Sequence, residues 1–271
     1  MSLISVIVTT YNWKEALERC LEGLFCQDDL NFEIIIADDG SRPDTAELIA
    51  MYSQISPVPI KHIYHEDQGF RAAKIRNKAV LNCSGDYLIF LDGDCIALPH
   101  FIARHRKLAK NAHFVPGNRI LFNQSFTQTI IDQRQLIHKT PLLTFVMWRL
   151  QKKINRLLPL IYLPFNQFRL LRPNYWGGAM TCNLAVWKED FYAVNGFDEC
   201  FYGWGYEDSD LIVRLIHYGI KRKEGRFALP VFHLWHKQND RYQQENNYQL
   251  LMQRVNDSDF IRAEKGIYEN R

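Results

Sequence analysis

In the early part of the chain, short β-branched runs take turns with stretches of helical period. Ser5-Val6-Ile7-Val8-Thr9-Thr10 closes on the polar trio Thr10-Tyr11-Asn12, the pattern of a central strand opening into a loop. Ala16, Leu17, Cys20, Leu21 and Leu24 then recur at helical spacing and predict a helix. Phe32-Glu33-Ile34-Ile35-Ile36-Ala37 predicts a second strand, closed by Asp38-Asp39-Gly40-Ser41. Leu48, Ile49 and Tyr52 share one side of a helix over residues 44–53. Residues 60–64 predict a third strand, and residues 71–81 a helix with Arg71, Lys74 and Arg76 near its start. Between Asp86 and the Asp92-Gly93-Asp94 turn lies Tyr87-Leu88-Ile89-Phe90-Leu91, long enough for a buried strand and too short for a helix. Strand and helix in such alternation give an α/β fold, a mostly parallel sheet with helices on both faces. Its strands end on one edge, so Thr10, Asp39 and Asp92 line one crevice, where open α/β sheets hold their ligands.

The later chain is less regular. Residues 119–173 fit no motif, and no acid follows Asp132 until Glu189. Arg134, Lys139, Arg149, Lys152, Lys153, Arg156, Arg169 and Arg172 are interspersed there with leucines and aromatics. Two readings stand: residues 134–172 contact an anionic membrane surface, or the segment is a helical excursion packed on the core with its cations in water. Leu211, Ile212, Leu215 and Ile216 predict a helix behind an acidic cluster, in which Asp210 is given the ordinary role of an acid in a first turn, capping and dipole. After Lys237 a polar stretch through Asn247 predicts a mobile loop, and a terminal helix follows over residues 248–265.

Composition narrows the function without naming it. A 47% hydrophobic content supports a real core, and a net charge of +3 argues against a general nucleic-acid binder. The opening Met1-Ser2-Leu3-Ile4-Ser5-Val6 lacks a basic n-region, so no signal peptide is expected. No apolar run approaches the about 18 to 20 residues that span a bilayer. The cysteines, Cys20, Cys26, Cys83, Cys95, Cys182 and Cys200, form no CxxC pair and are expected as reduced thiols in a cytoplasmic protein, Cys95 as a small buried residue.

Chemistry enters with the acids. Asp92 and Asp94, one glycine apart, can face one point, which suits a hard divalent cation that also takes phosphate oxygens. Carboxylates and cations on the same crevice make a nucleoside diphosphate a sensible guest, and the absence of GxGxxG and GxxxxGK[ST] counts against a dinucleotide-binding domain and a P-loop NTPase. Further on, the paired glycines of Tyr175-Trp176-Gly177-Gly178 let backbone approach a ligand, and Trp176 offers a face to a sugar. Gly203-Trp204-Gly205-Tyr206 brings Glu207 and Asp208 close to a ligand, where a general base for a sugar hydroxyl would act. His233 and His236 are spaced to reach one metal.

Four motifs, Val8-Thr9-Thr10-Tyr11-Asn12, Ala37-Asp38-Asp39-Gly40-Ser41, Gly69-Phe70-Arg71-Ala72-Ala73-Lys74-Ile75-Arg76-Asn77 and Leu91-Asp92-Gly93-Asp94, together resemble in order and spacing the family 2 glycosyltransferases of the GT-A fold. The resemblance implies one domain with a Rossmann-like, mixed but mostly parallel sheet flanked by helices. Its parts are a nucleotide-binding half over residues 1–118, the basic helical excursion 119–173, an acceptor and catalytic half 174–240, and a C-terminal loop and helix 241–271. It also implies that Asp39 holds uracil, Asp92 meets ribose and Asp94 binds the metal, with Thr10, Tyr11, Asn12, Gly93 and either Arg71 or Lys74 about the nucleotide. Gly203-Trp204-Gly205-Tyr206-Glu207-Asp208 resembles the acidic motif of the β-1,4-galactosyltransferase and chondroitin-polymerase group. That likeness makes Asp208 the base, Glu207 its neighbour on donor or acceptor sugar along with Trp176, Gly177, Gly178 and Trp204, and His236 a manganese ligand with His233 as an additional candidate.

The expectation is therefore a metal-dependent inverting glycosyltransferase, using Mn2+ or Mg2+ to move a hexose or N-acetylhexosamine from a UDP-sugar to a saccharide acceptor. The acceptor belongs to a bacterial-type surface glycan such as lipopolysaccharide, is a candidate for lipid linkage, and would be met on the inner face of the membrane. Two other classes stay open. A sugar-1-phosphate nucleotidyltransferase would carry a Gly-rich basic signature where Thr9-Thr10-Tyr11-Asn12-Trp13 stands, and a non-catalytic sugar-binding module would have no use for so many acids.

Overall fold

The computed structural model describes residues 2–164, 166–237 and 240–270. In chain order the elements are β1 (Ile4–Thr10), α1 (Lys14–Phe25), β2 (Phe32–Asp38), α2 (Pro43–Ile55), β3 (Ile60–Tyr64), α3 (Ala72–Leu81), β4 (Tyr87–Asp92), β5 (Cys95–Ala97), α4 (Phe101–Leu108), β6 (His113–Pro116) and β7 (Asn118–Leu121). There follow α5 (Gln124–Asp132), α6 (Leu142–Leu150), β8 (Asn183–Trp187), α7 (Lys188–Ala193), α8 (Glu207–His217), β9 (Lys221–Arg222), β10 (Pro230–His233) and α9 (Gln244–Val255).

The main sheet has the order β3-β2-β1-β4-β8-β6-β9. The pairs β1–β2, β1–β4 and β2–β3 are parallel, as βαβ crossovers require, whereas β8 runs antiparallel between β4 and β6. Strands β1, β2 and β4 are apolar on both faces and almost fully buried because helices cover both. One core packs α1 and α2 with Leu17, Leu21, Ile49 and Tyr52 against Val6, Ile34 and Ile89. The other packs α3, α7 and α8 with Ile75, Phe191 and Leu211 against Ile7, Ile35 and Phe90.

A smaller sheet, β5-β10-β7, lies beyond the end of β4. Its strand β10 brings His233 directly opposite Cys95 of β5. Thus the acid turn after β4 and the late histidines are joined by backbone pairing, though far apart in the chain.

The C-terminal region departs from expectation. The polar loop expected after Lys237 begins with Gln238 and Asn239, which lie outside the described residues. It ends early, because α9 starts at Gln244. Asn247, expected in the loop, is buried and donates from Nδ2 to the carbonyls of Tyr202 and Gly205, both at 3.1 Å. The terminal helix stops at Val255 instead of running to residue 265. Asp257 explains the stop, since its carboxylate accepts the Asp259 N–H at 3.1 Å and competes with the helical ladder. The chain then turns back, donating from Ala263 N–H to the Val194 carbonyl and from Ile267 N–H to that of Asn195.

Candidate active site at the carboxyl edge of the sheet

The crevice begins where β1, β2 and β4 end in register, Thr9 beside Asp92 and Thr10 beside Asp38. Asp38 faces inward, accepts the Ser41 N–H and meets His62, so it braces the turn. Asp39 is buried at the crevice, where its carboxylate accepts the Arg71 N–H at 2.9 Å and meets His65 Nε2 at 2.6 Å. Thr10 is buried beneath, and Tyr11 is half exposed with its hydroxyl donating to Asp67 at 2.9 Å. Asn12 takes a left-handed φ of 50° and ties the β1 exit to α2 by accepting the Arg42 N–H. Gly93 donates its N–H to the Thr9 carbonyl at 2.7 Å. A Cβ at Gly93 would sit 3.0 Å from that oxygen, tight enough that glycine eases the sharp turn between the two acids.

Of the basic residues at the start of α3, Arg76 makes the contacts. Its Nε donates to Thr9 Oγ1 at 3.0 Å, its Nη2 meets Asp92 at 3.3 Å and its Nη1 meets Glu207 at 3.2 Å. One buried guanidinium therefore joins the first acidic turn to the second. Arg71 takes part through its backbone, and the half-buried Lys74 lies two positions before Arg76, hence on a different face of the helix. Arg76 was absent from the sequence-derived site. The signal was there, since it falls on the apolar stripe of Ala72, Ala79 and Val80, and an arginine on such a stripe needs partners.

The second cluster is delivered by a left-handed turn. Gly203, Gly205 and Tyr206 have φ of 75°, 111° and 72°, which swings Glu207 and Asp208 to the head of α8. Burial, reinforced by the charge of Glu207, pushes the Asp208 carboxyl up to about 7, and Arg76 pulls the other way. Asp210 has no capping role. It is fully buried between Arg214 Nε and Arg254 Nη1, both at 2.8 Å, because its position four residues before Arg214 suits an ion pair along the helix. Trp176 packs partly into the core beneath this cluster, Gly177 accepts from Arg222 through its carbonyl, and Gly178 (φ 68°) is open on its Cβ side. Trp204 lies under the Arg241 guanidinium, 4.6 Å from centroid to cation.

Asp94 completes the site. Its Oδ2 lies 3.3 Å from His236 Nε2 and 3.5 Å from His233 Nε2. Two ligands on one ion at bonds of roughly 2.0–2.2 Å stand about this far apart, so each imidazole lies at bridging distance from Asp94 for a divalent cation. His236 Nδ1 is 2.8 Å from the Lys237 carbonyl. A carbonyl only accepts, so this contact calls for an N–H at Nδ1, the tautomer that offers Nε2 to a metal. Burial holds the Asp94 carboxyl above its usual range, with Asp92 adding to the shift and the two imidazoles opposing it. Arg119 of β7 also borders the acids: burial works against its charge, but the groups about it, Asp92 and Asp94 among them, outweigh it and raise its pKa. It carries no signal in the sequence, since only the small sheet brings it here.

The basic segment splits into two populations. Phe145 and Trp148 of α6 are buried against Phe232 and Phe122, while Leu142, Leu143 and Leu150 are 68%, 74% and 73% exposed. Lys139, Arg149, Lys152 and Arg172 stand in water. Arg169 does not: it is buried, donating to the carbonyls of Glu224, Arg226 and Leu163, because a loop packed without acids must satisfy its carbonyls with a cation. Among the described residues no helix is long and apolar enough to cross a membrane.

Known proteins resemble this chain in sequence and in fold. A family described as Glycosyl transferase family 2 matches residues 5–172, and one described as N-terminal domain of galactosyltransferase matches residues 163–237. Validoxylamine A glucosyltransferase of Streptomyces hygroscopicus is 31% identical over 229 residues, covering 80% of this chain and 52% of that protein. A UDP-Glc:alpha-D-GlcNAc-diphosphoundecaprenol beta-1,3-glucosyltransferase of Escherichia coli is 31% identical over 125 residues, 46% of each chain. The chain thus spans about half the length of these curated relatives. Among solved structures, a mannosyltransferase from Pyrobaculum calidifontis in complex with GDP-Man and Mn2+ superposes with a TM-score of 0.59 at 17% identity, over 93% of this chain and 63% of that one. At that identity the likeness is one of fold, a GT-A sheet.

Proposed function

The chain belongs to glycosyl transferase family 2, and from that premise we propose that it is an inverting, metal-dependent transferase of a hexose or N-acetylhexosamine from a UDP-sugar to a saccharide acceptor. The observation that carries this reading is the approach of His236 to Asp94 at 3.3 Å in the crevice that also holds Asp39, Asp92 and Asp208. Asp39 accepts from the uracil ring, Asp92 from ribose hydroxyls, and Thr10, Tyr11, Asn12 and Gly93 shape the walls about the base and ribose. Asp94 and His236, with His233, hold Mn2+ or Mg2+. The ion, when bound, supplies positive charge to the departing diphosphate. Asp208 accepts the proton of the acceptor hydroxyl, whose oxygen attacks the anomeric carbon as the bond to UDP breaks on the opposite face. Glu207 is held by Arg76 at 3.2 Å, so that it hydrogen-bonds a sugar hydroxyl without turning toward Asp208. Trp176, Gly177, Gly178 and Trp204 border the sugars.

A panel of UDP-sugars with Mn2+ tests the reading: slow donor hydrolysis releases UDP from one or two of them. Pyrophosphate-dependent release of UTP would mark a nucleotidyltransferase instead, and no turnover of any donor a binding module. Asp208→Asn should abolish transfer while leaving UDP affinity nearly intact. A large loss of UDP affinity in that variant removes Asp208 from the role of base.

On the acceptor side, the exposed leucines of α6 and the free cations Lys139, Arg149 and Lys152 lie on a segment devoid of acids. Such a face complements an anionic lipid bilayer, with cations at the head groups and leucines below them. An acceptor carried on a lipid would then reach the crevice from the membrane plane.

A further inference from the structure

At the last strand of the main sheet, positive charges gather with no carboxylate to answer them. Lys221 of β9 lies opposite His113 of β6, and the ladder runs on as the Lys221 N–H donates to the Ala112 carbonyl and the Lys223 N–H to that of Phe114, both at 2.9 Å. Alternate residues of a strand point the same way, so Lys221 and Lys223 share a face with His113. Lys110 stands at the turn into β6, where Ala112 takes a φ of 55°. Lys223 is only 6% exposed and His113 8%. Lysine is seldom so buried unless paired, yet among the described residues the ammonium groups of Lys110, Lys221 and Lys223 meet no acceptor. The adjacent Glu224 is taken by Arg222 at 3.0 Å and Arg226 at 4.0 Å. Burial holds the Lys223 ammonium below its ordinary range, and the charges of Lys110 and Arg169 push the same way. Burial also lowers the His113 imidazole against the pull of the Asn111 carbonyl, and Lys110, Lys223 and Lys221 add to the lowering. Three ammonium groups thus converge on one ring.

We propose that Lys110, Lys221 and Lys223, gathered about the His113 ring, form a binding site for a dianionic phosphate group, either inorganic phosphate or a phosphomonoester. Ammonium groups are compact charges with rotatable donors, which suits phosphate oxygens approached from several sides. Like charges held together by backbone pairing repel one another, and a dianion among them removes that repulsion. The recessed Lys223 favours a small group over the flat face of a bilayer. The site is also remote from the crevice. Strand β8 runs antiparallel to both β4 and β6, so β6 runs with β4, and His113, its first residue, lies at the amino edge of the sheet. A phosphate bound there leaves the carboxyl edge free.

Inorganic phosphate is the probe, added to the metal-free full chain at an ionic strength held constant with chloride. The readout is the ring-proton resonance of His113, assigned by its loss in His113→Gln. The expected result is a saturable shift of that resonance in wild type. Phosphate affinity falls by about tenfold or more in Lys223→Met and by a smaller factor in Lys110→Gln and Lys221→Gln. UDP affinity in the presence of Mn2+ stays unchanged in all three variants. Lys110 and Lys221 are exposed, so their variants fold whether or not Lys223→Met does. A shift that does not saturate, or the wild-type midpoint in both glutamine variants, overturns the site and leaves Lys223 as a lysine whose stem covers apolar surface while its head meets water. No shift with phosphate, together with sedimentation on phosphatidylglycerol vesicles that the glutamine variants weaken, overturns it in favour of a bilayer. A matching loss of UDP affinity in those variants overturns its separation from the crevice.

Discussion

At the scale of single residues, two buried carboxyls set the pH behaviour. Asp208 is held at about 7, chiefly by burial with the Glu207 charge in support. A base must be ionised, so transfer should rise with pH through about 7 and level off above it. Asp208→Asn should remove that limb and cost on the order of 10²–10⁴ in rate. A wild-type profile already flat from pH 5 upward would exclude this group as the titrating base. Asp190, at the start of α7, is lifted to about 6 by burial, with Glu189 adding to it. The sign follows from linkage: the folded pKa lies above the unfolded 3.8, so the native state gives up stability as pH rises from there through about 6. Asp190→Asn should therefore stabilise the protein by about 2 kcal/mol more at pH 8 than at pH 4, read from urea melts at both. An equal change at the two pH values would mean the carboxyl carries no such cost. Asp39, Asp92 and Asp94 were legible because a strand exit needs no partner to be recognised. Arg76 became a site residue only once Thr9, Asp92 and Glu207 were seen around it.

Among elements, the junction of α8, α9 and the returning tail depends on a few charges sealed from water. Arg254 of α9 spans Asp210 at 2.8 Å and Asp198 at 2.9 Å, and Arg214 takes the other Asp210 oxygen. Removing one partner of such a set strands a buried charge. Asp210→Ala is expected to cost about 3–5 kcal/mol and to lower Tm by about 10 °C, followed by circular dichroism. A loss below about 1 kcal/mol would mean that water reaches the arginines. The same junction explains the misjudged C-terminal helix. Periodicity carries through its polar residues, but Asp257 breaks the ladder, and a turn chosen by one side chain lies beyond what a period can report.

For the whole molecule, the exposed leucines of α6 and the acid-free segment around them predict a membrane-facing side. Paired Leu142→Glu and Leu143→Glu substitutions should abolish co-sedimentation with vesicles containing anionic lipid while leaving donor hydrolysis unchanged, since both side chains are mostly exposed. Binding by wild type should weaken as salt rises. Sedimentation independent of anionic lipid, or unaffected by the double substitution, would make α6 only a packed excursion. The order of strands and helices, the parallel sheet edge and the acids at the ends of β2 and β4 were determined by the sequence alone, because hydrophobic period and turn residues act over a few neighbours. Tertiary structure alone decided that the antiparallel β8 enters the sheet, and that Arg76 bridges two acidic turns. It alone set Cys95 opposite His233. Each of those depends on which distant segments share an edge, and the free energy that selects the pairing is collected by the whole core rather than by any stretch that can be read in isolation.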